Sequence, residues 1–304
     1  MLFHTTAEHE ALRAKIRAFA EEEVKPHAFL MDKENRFPDE AVKKLGEMGL
    51  MGIPYPKEYG GAGLDVISYA IAVEELSRVD GGTGVILSAH VSLGSWPIFA
   101  FGTEEQKKKI SGSPLQGEKI GAFGLTEPNA GSDAGGTETT AIDKGDHYLL
   151  NGGKIFITNA PKADTYVVFA VTTPDIGTRG ISAFIVEKGW KGFTFGDHYD
   201  KMGIRSSSTA ELIFNNVKVP KENLLGKEGQ GFKIAMPLWT AAVLASPPRP
   251  LESLREPTKA PSTTQRSAFS SESPSALTRQ SALSWPTWLP SCAAPDSLST
   301  PAQS

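Results

Sequence analysis

All 30 glycines of this 304-residue chain fall before residue 237. Glycine lets a backbone take positive φ at tight turns and approach a neighbour or ligand closely, so its distribution marks where a fold can be built. The last 68 residues, Pro237 to Ser304, contain none, and hold 11 of the 21 prolines and 14 serines instead. Average glycine usage near 7% would place about five there. Trp239, Trp285 and Trp288 also sit oddly in what otherwise reads as a Pro/Ser-rich disordered segment. The folded part is therefore expected within the first 236 residues, with a non-native, low-complexity tail after them. No internal repeat is visible in either part.

The folded part is long enough for two domains. A net charge of -4 offers no basic excess to neutralise phosphates, so nucleic acid is not expected as a partner. The single cysteine, Cys292, excludes a disulfide framework and any multi-cysteine metal site. No apolar run approaches the about 18 residues of a membrane span. The N-terminus turns polar at His4 without a signal-peptide core. With 39% hydrophobic and 22% charged residues, the default class is a cytoplasmic enzyme.

Helical spacing dominates the first part. Thr5 and Glu8 form a capping box ahead of Leu12, Ile16, Phe19 and Ala20. Pro38-Asp39-Glu40 opens a second helix that passes Val42 and Leu45 and stops at Gly46. Asp65 to Arg78 spaces Ile67, Ala70, Ile71 and Glu74 by three or four, Ser88 to Phe101 is apolar enough for a buried helix, and Thr103 caps a helix carrying Lys107, Lys108 and Lys109. From about Ala122 the period becomes two. Strands are expected at His147–Asn151, Lys154–Thr158, Thr165–Thr173, Ile181–Glu187, Ala210–Asn215 and Val217–Pro220, separated by turns at Gly152-Gly153, Pro174-Asp175, Gly189 and Asn215-Asn216. Short strands without helices between them suggest an antiparallel barrel or sandwich. The expected class is multidomain α+β: an N-terminal all-α domain over residues 1–121, an antiparallel β-barrel domain over 122–228, the start of a C-terminal helix over 229–236, and a disordered tail over 237–304.

One segment between helices and strands stands out, Gly124-Leu125-Thr126-Glu127-Pro128-Asn129-Ala130-Gly131-Ser132-Asp133-Ala134-Gly135-Gly136. Its glycines allow close backbone approach to a ligand, and Thr126 and Ser132 offer hydroxyls. It lacks the Gly-Lys-Ser/Thr ending of a Walker loop, and it is expected to follow a helix rather than the strand of a Rossmann fingerprint. Taken alone it is equally a glycine-rich linker with Asx turns. The six histidines show no metal-ligand spacing. Adjacent Glu74 and Glu75 do not share a helix face as a catalytic pair would. Lys107 to Lys109 read as a solvated helix face, and Glu127 as a residue that holds its loop rather than one that abstracts a proton.

With its neighbours, this segment resembles the first signature of the acyl-CoA dehydrogenase flavoprotein family. Lys154-Ile155-Phe156-Ile157-Thr158-Asn159 resembles the family's second flavin-contacting strand, and Glu58 to Gly63 with Glu74-Glu75-Leu76 and Arg78 resembles its N-terminal domain. The resemblance covers residues 5 to 236. It implies FAD as cofactor and α,β-dehydrogenation of an acyl-CoA, with a carboxylate taking the α-proton and the flavin the hydride. Electron-transfer flavoprotein is the implied acceptor, and a homo-oligomer, a tetramer, the implied assembly of an intact member. Carried over, Phe123, Leu125, Thr126 and Ser132 contact the flavin on one side and Phe156, Ile157 and Thr158 on the other, with Ser132 also near the substrate thioester. By alternation alone, without the resemblance, Phe156 reads as a core position. The motif wording favours a short-chain member acting on butyryl-CoA; an oxidase or monooxygenase of the same fold is the rival enzyme.

The family continues after Met236 with a long helical domain, where this sequence turns to Pro237-Leu238-Trp239. A one-base shift in the codons near Met236 and Pro237 permits a continuation resembling the family's next segments, notably over Ser262 to Arg279. The tail is accordingly expected to be a frameshift product that replaces the C-terminal helical domain. The resemblance places the catalytic glutamate and a neighbouring subunit's FAD contacts in that domain. A weakly flavin-retaining, inactive truncated fragment is the resulting expectation for the chain as written.

Overall fold

In the computed structural model, residues 5–110 and 119–236 are described. The expectations for the tail and for a missing helical domain lie outside them. The N-terminal part is helical: α1 (Ala7–Phe19), α2 (Lys25–Lys33), α3 (Asp39–Glu47), α4 (Val66–Val79), α5 (Gly81–Ala89), α6 (Trp96–Phe101) and α7 (Glu104–Ile110). Thr6, not Thr5, caps α1. Its hydroxyl accepts from the His9 amide at 3.3 Å and His9 Nδ1 accepts from the Thr6 amide at 3.1 Å, so histidine takes the place expected of Glu8. Nε2 of the same histidine lies 3.0 Å from Asp65, which caps α4 by accepting from the Ser68 amide at 2.8 Å. Two helix starts are thereby joined through one side chain.

Two helices are extended through π turns. Ala20–Val24 carries α1 into α2, and His90–Ser95 carries α5 into α6 just ahead of Pro97, which has no N–H for the α-helical bond. The apolar helix expected from Ser88 therefore begins at Gly81, where Asp80 accepts from the amides of Gly82 at 3.1 Å and Thr83 at 2.9 Å. This corrects the expectation that no run reaches the length of a membrane span: Gly81–Phe101 is long and apolar enough by length and composition alone, with 61% of its apolar window buried within the protein. Gly46 sits inside α3 rather than stopping it; Gly49, at φ +74°, turns the chain after the helix.

Glu74 and Glu75 are committed to structure. Arg13 donates to Glu74 at 2.7 Å and to Glu75 at 2.9 Å, and Arg17 grips both oxygens of Glu75 at 2.7 and 2.8 Å. Burial by itself pushes the Glu75 carboxyl up, but the hydrogen bonds and charges of Arg17 and Arg13 outweigh it and hold the carboxyl below its ordinary 4.5. This pair of contacts fastens α1 along α4 over the core of Ile16, Ala72, Val73 and Leu76.

The second part is a sheet of β1 (Gly121–Gly124), β2 (Thr140–Asp143), β3 (His147–Thr158), β4 (Thr165–Val171), β5 (Ile181–Glu187), β6 (Phe193–His198), β7 (Thr209–Pro220) and β8 (Leu224–Leu225). The order is β6-β7-β3-β2-β4-β5-β8, with β1 parallel to β4 and a parallel bridge between Thr140 of β2 and Val171 of β4. This is a mixed sheet that does not close, which corrects the expected antiparallel barrel. The reason lies in β4, whose TYVVFAV sequence is apolar on both faces, the pattern of a strand covered on two sides. Tyr166, Val168 and Ala170 enter one core with Tyr148 and Phe184. Val167 and Phe169 enter another with Ile98, Leu125 and Ile234. Residues 231–236 are helical.

Two expected turns are absent. Strands read as separate at Gly152-Gly153 and Asn215-Asn216 run together in β3 and β7, where a single register shift between Leu150 and Gly152 puts the extra residue in β7 at Asn215-Asn216, with positive φ at Gly152 and Asn216. β1, β2 and β8 are too short for an alternation signal, and β6 is broken up by Gly196.

Replacing Glu75 with Gln is expected to cost about 2–3 kcal/mol in urea unfolding, toward the low end for a broken buried pair because Arg17 stays half hydrated. The folded Glu75 binds its proton less readily than the unfolded chain does. Its stabilisation is therefore complete above pH 4.5 and lost as pH falls through the folded value. Unfolding free energies of wild type and Glu75→Gln should converge as the pH is lowered below 4.5; a constant gap would contradict the pairing.

Candidate functional site

The glycine-rich segment is aimed by the helix behind it. His90 Nδ1 accepts from the Gly121 amide at 2.9 Å, and a Cβ built at Gly94 would stand 2.5 Å from the Gly121 carbonyl carbon. Helix and strand approach this closely because neither residue has a side chain. Asn159, at the far end of β3, donates to the carbonyls of Gly121 at 3.2 Å and Ile86 at 3.3 Å. Helical part, β1 and β3 thus meet at one buried junction.

From β1 the chain stays beside β3, where the Ile155 amide donates to the Thr126 carbonyl at 2.9 Å. Glu127 and Ala130 then close a turn by exchanging backbone hydrogen bonds, both 3.1 Å, with Pro128 pre-setting its φ. Beneath this turn lies a fully buried ion pair. Lys154 Nζ donates to Glu127 Oε1 at 2.5 Å and to the Leu125 carbonyl at 3.2 Å. The same carboxylate accepts from the amides of Glu138 at 2.7 Å and Thr139 at 3.1 Å. Burial pulls the Lys154 ammonium down to about 8 against the opposing pull of Glu127. Burial would raise the Glu127 carboxyl, yet the charge and hydrogen bond of Lys154 and the two amides keep it below its ordinary range. A carboxylate so engaged holds the loop, as its position in the sequence suggested.

On β3 the register shifts between Lys154 and Ile157, and Phe156 occupies the extra position at φ +59°. Such a conformation is strained for a bulky residue. The bulge turns its ring outward, 59% exposed, against Tyr199 at a centroid distance of 4.9 Å. The reading of Phe156 as a core residue is thereby corrected: an extra residue in the strand reverses the face that simple alternation assigns.

The other candidates are placed as follows. Thr126 and Thr158 are half-buried and Ser132 is exposed on the outer loop. None of the three hydroxyls bonds to any described residue. Phe123 is half-buried with its ring 5.0 Å from Phe169, while Leu125 and Ile157 turn their side chains into the core and leave only backbone for a ligand. Thr126 and the Phe156–Thr158 stretch are brought together by the Ile155 bond; Ser132 lies further along the loop. Among the described residues no group of His, Cys, Asp or Glu could hold a metal ion. Lys107 pairs with Glu104 at 2.9 Å and lies over the rings of Tyr59 and Phe99. Sequence reasoning passed over Lys154 and Tyr199. A lysine on the inward face of an apolar strand was the available signal for the first, since it demands a buried carboxylate.

Phe156→Gly is expected to leave stability within about 1 kcal/mol of wild type, because relief of strain offsets the lost Tyr199 contact. Phe169→Ala, which empties a core position, should cost about 3–5 kcal/mol. Urea midpoints of the two variants check this; equal losses would mean that Phe156 is packed as core.

Comparison with known proteins identifies both parts. Residues 6–118 match the family model described as acyl-CoA dehydrogenase, N-terminal domain, and residues 122–217 match acyl-CoA dehydrogenase, middle domain. The chain is 60% identical over 236 residues to the short-chain-specific acyl-CoA dehydrogenase of Clostridium acetobutylicum, covering 78% of this chain and 62% of that protein. It therefore spans somewhat under two thirds of that relative's length. The solved structure of butyryl-CoA dehydrogenase from Megasphaera elsdenii superposes with a TM-score of 0.78 at 46% identity, over 81% of this chain and 65% of that one. An acyl-CoA dehydrogenase complexed with FAD from Bacillus anthracis superposes with a TM-score of 0.74 at 42% identity, over 79% and 41%.

Proposed function

The chain belongs to the acyl-CoA dehydrogenase family, and from that premise we propose that it carries the flavin-facing half of a short-chain acyl-CoA dehydrogenase, with FAD as cofactor and butyryl-CoA as substrate. The carrying observation is the combination of a strained, outward Phe156 with Thr126 and Thr158 hydroxyls that no described residue engages. Backbone strain of this kind persists where the surroundings enforce it, and it clusters at ligand sites.

In this reading Thr126 and the backbone of Phe123 to Leu125 hold one side of the flavin. Phe156 covers the other and keeps water from it, and Ile157 contributes backbone only. Thr158 donates its hydroxyl to the ring, and Ser132 lies toward the thioester. When bound, FAD supplies the acceptor for the hydride leaving the acyl β-carbon. Glu127 takes no proton here, because both its oxygens are engaged. No residue of the described part is assigned as the base. Electron-transfer flavoprotein as acceptor, a homotetramer and a cytoplasmic location complete the proposal, all three resting on the family likeness.

Titration of the full chain with FAD, followed by flavin fluorescence, tests the site. Binding should be saturable but too weak to survive gel filtration, since the described residues address mainly the ring. Thr126→Val and Thr158→Val should each weaken it about tenfold, the worth of one hydrogen bond of roughly 1.4 kcal/mol. Unchanged affinity in both variants, or no saturable binding to wild type, would overturn the assignment.

A further inference from the structure

We propose that Glu127 and Lys154 are the positioning residues of this site, a buried clamp that sets the glycine-rich loop against β3 so that Thr126 and Thr158 address one ligand together. The proposal rests on the flavin reading above. Neither side chain is offered to the flavin, as Lys154 has no exposed surface and Glu127 is 3% exposed. Their contacts run instead between the two arms. Lys154 stands on β3 and donates to the carbonyl of Leu125, the residue before Thr126. Glu127, the residue after Thr126, accepts from Lys154 and gathers the amides of Glu138 and Thr139, where the loop returns to the sheet. Thr139 in turn donates its hydroxyl to the Gly153 carbonyl of β3 at 3.1 Å. Both ends of the loop are therefore fixed to the strand that carries Phe156 and Thr158. The loop between them has Ser132 and Asp133 exposed, with Gly131 open to substitution and Asp133 bonded only locally to the Gly135 amide. Within the loop, Asn129 donates to the Glu138 carboxylate at 3.1 Å, Thr137 donates to the Ala134 carbonyl at 3.2 Å, and Ala134 packs against the core, but none of these contacts reaches β3.

A clamp and a mere stabilising pair differ in one respect. Replacing both members of a buried ion pair by apolar residues of similar size commonly leaves stability intact, because the desolvation of both charges disappears with their attraction. The loop amides of Glu138 and Thr139 would nonetheless lose their acceptor. Lys154→Met, Glu127→Gln and the double variant Glu127→Leu/Lys154→Met are compared in the full chain by urea unfolding, amide hydrogen exchange and FAD titration. Both single variants should speed exchange at Glu138, Thr139 and Ile155 by about tenfold or more, while amides of β4 and β5 keep their protection. The double variant should unfold near the wild-type midpoint yet retain the fast loop exchange and about tenfold weaker FAD binding. Loop exchange unchanged in the single variants, or FAD affinity recovered together with stability in the double, would overturn the proposal. If wild type binds no FAD, the flavin reading falls, and the exchange measurement by itself decides whether the clamp exists.

Discussion

A lysine ammonium without exposed surface must find a counter-charge and hydrogen-bond acceptors within reach, and Lys154 finds both in the loop that leaves β1. Much of the local architecture follows from that requirement. The strand places Lys154 inward opposite Leu212, the loop must bring Glu127 under its own turn to meet it, and the carboxylate's second oxygen then captures the returning chain at Glu138. The order runs from strand pattern to buried charge to loop conformation. The glycine-rich segment is thus a shaped part of the sheet, though its composition reads as that of a linker.

The same strand carries the strain. With Lys154 fixed inward and Ile157 also required by the core, three residues of β3 face two of β7, and Phe156 is expelled to the surface in a left-handed conformation. The helical part stabilises this arrangement from behind. His90 and Asn159 bond to the two backbone groups of Gly121, so β1 can neither slide nor tilt without breaking buried hydrogen bonds. Glu75 and its arginines keep the helices in place one layer further back. Core packing, buried polar junction and half-buried hydroxyls form a sequence of layers that ends at Thr126 and Thr158.

The helical-then-sheet organisation was legible in the change of period, and the cap at Thr103 in side-chain chemistry alone. What the sequence hid has specific causes. Thr5 and Thr6 are equivalent by type, and only the position of His9 chooses between them. Gly152 and Asn216 look like hairpin punctuation because bulges and turns share a need for positive φ. The parallel pairing of β1 with β4 is a long-range event that no local period encodes. In the candidate site, Thr126, Ser132 and Thr158 were readable as hydroxyls in a recognisable motif. The outward turn of Phe156 was not, since it depends on a one-residue register shift against β7.

The central claim is that the loop and β3 together form one flavin site. A crystal structure of the full chain with FAD tests it most directly. The account predicts electron density for the isoalloxazine ring against Thr126 and the Phe156–Thr158 stretch, with the Lys154–Glu127 contact intact beneath it. Density for FAD elsewhere on the chain, with the Thr126 and Thr158 hydroxyls left unengaged, would contradict it.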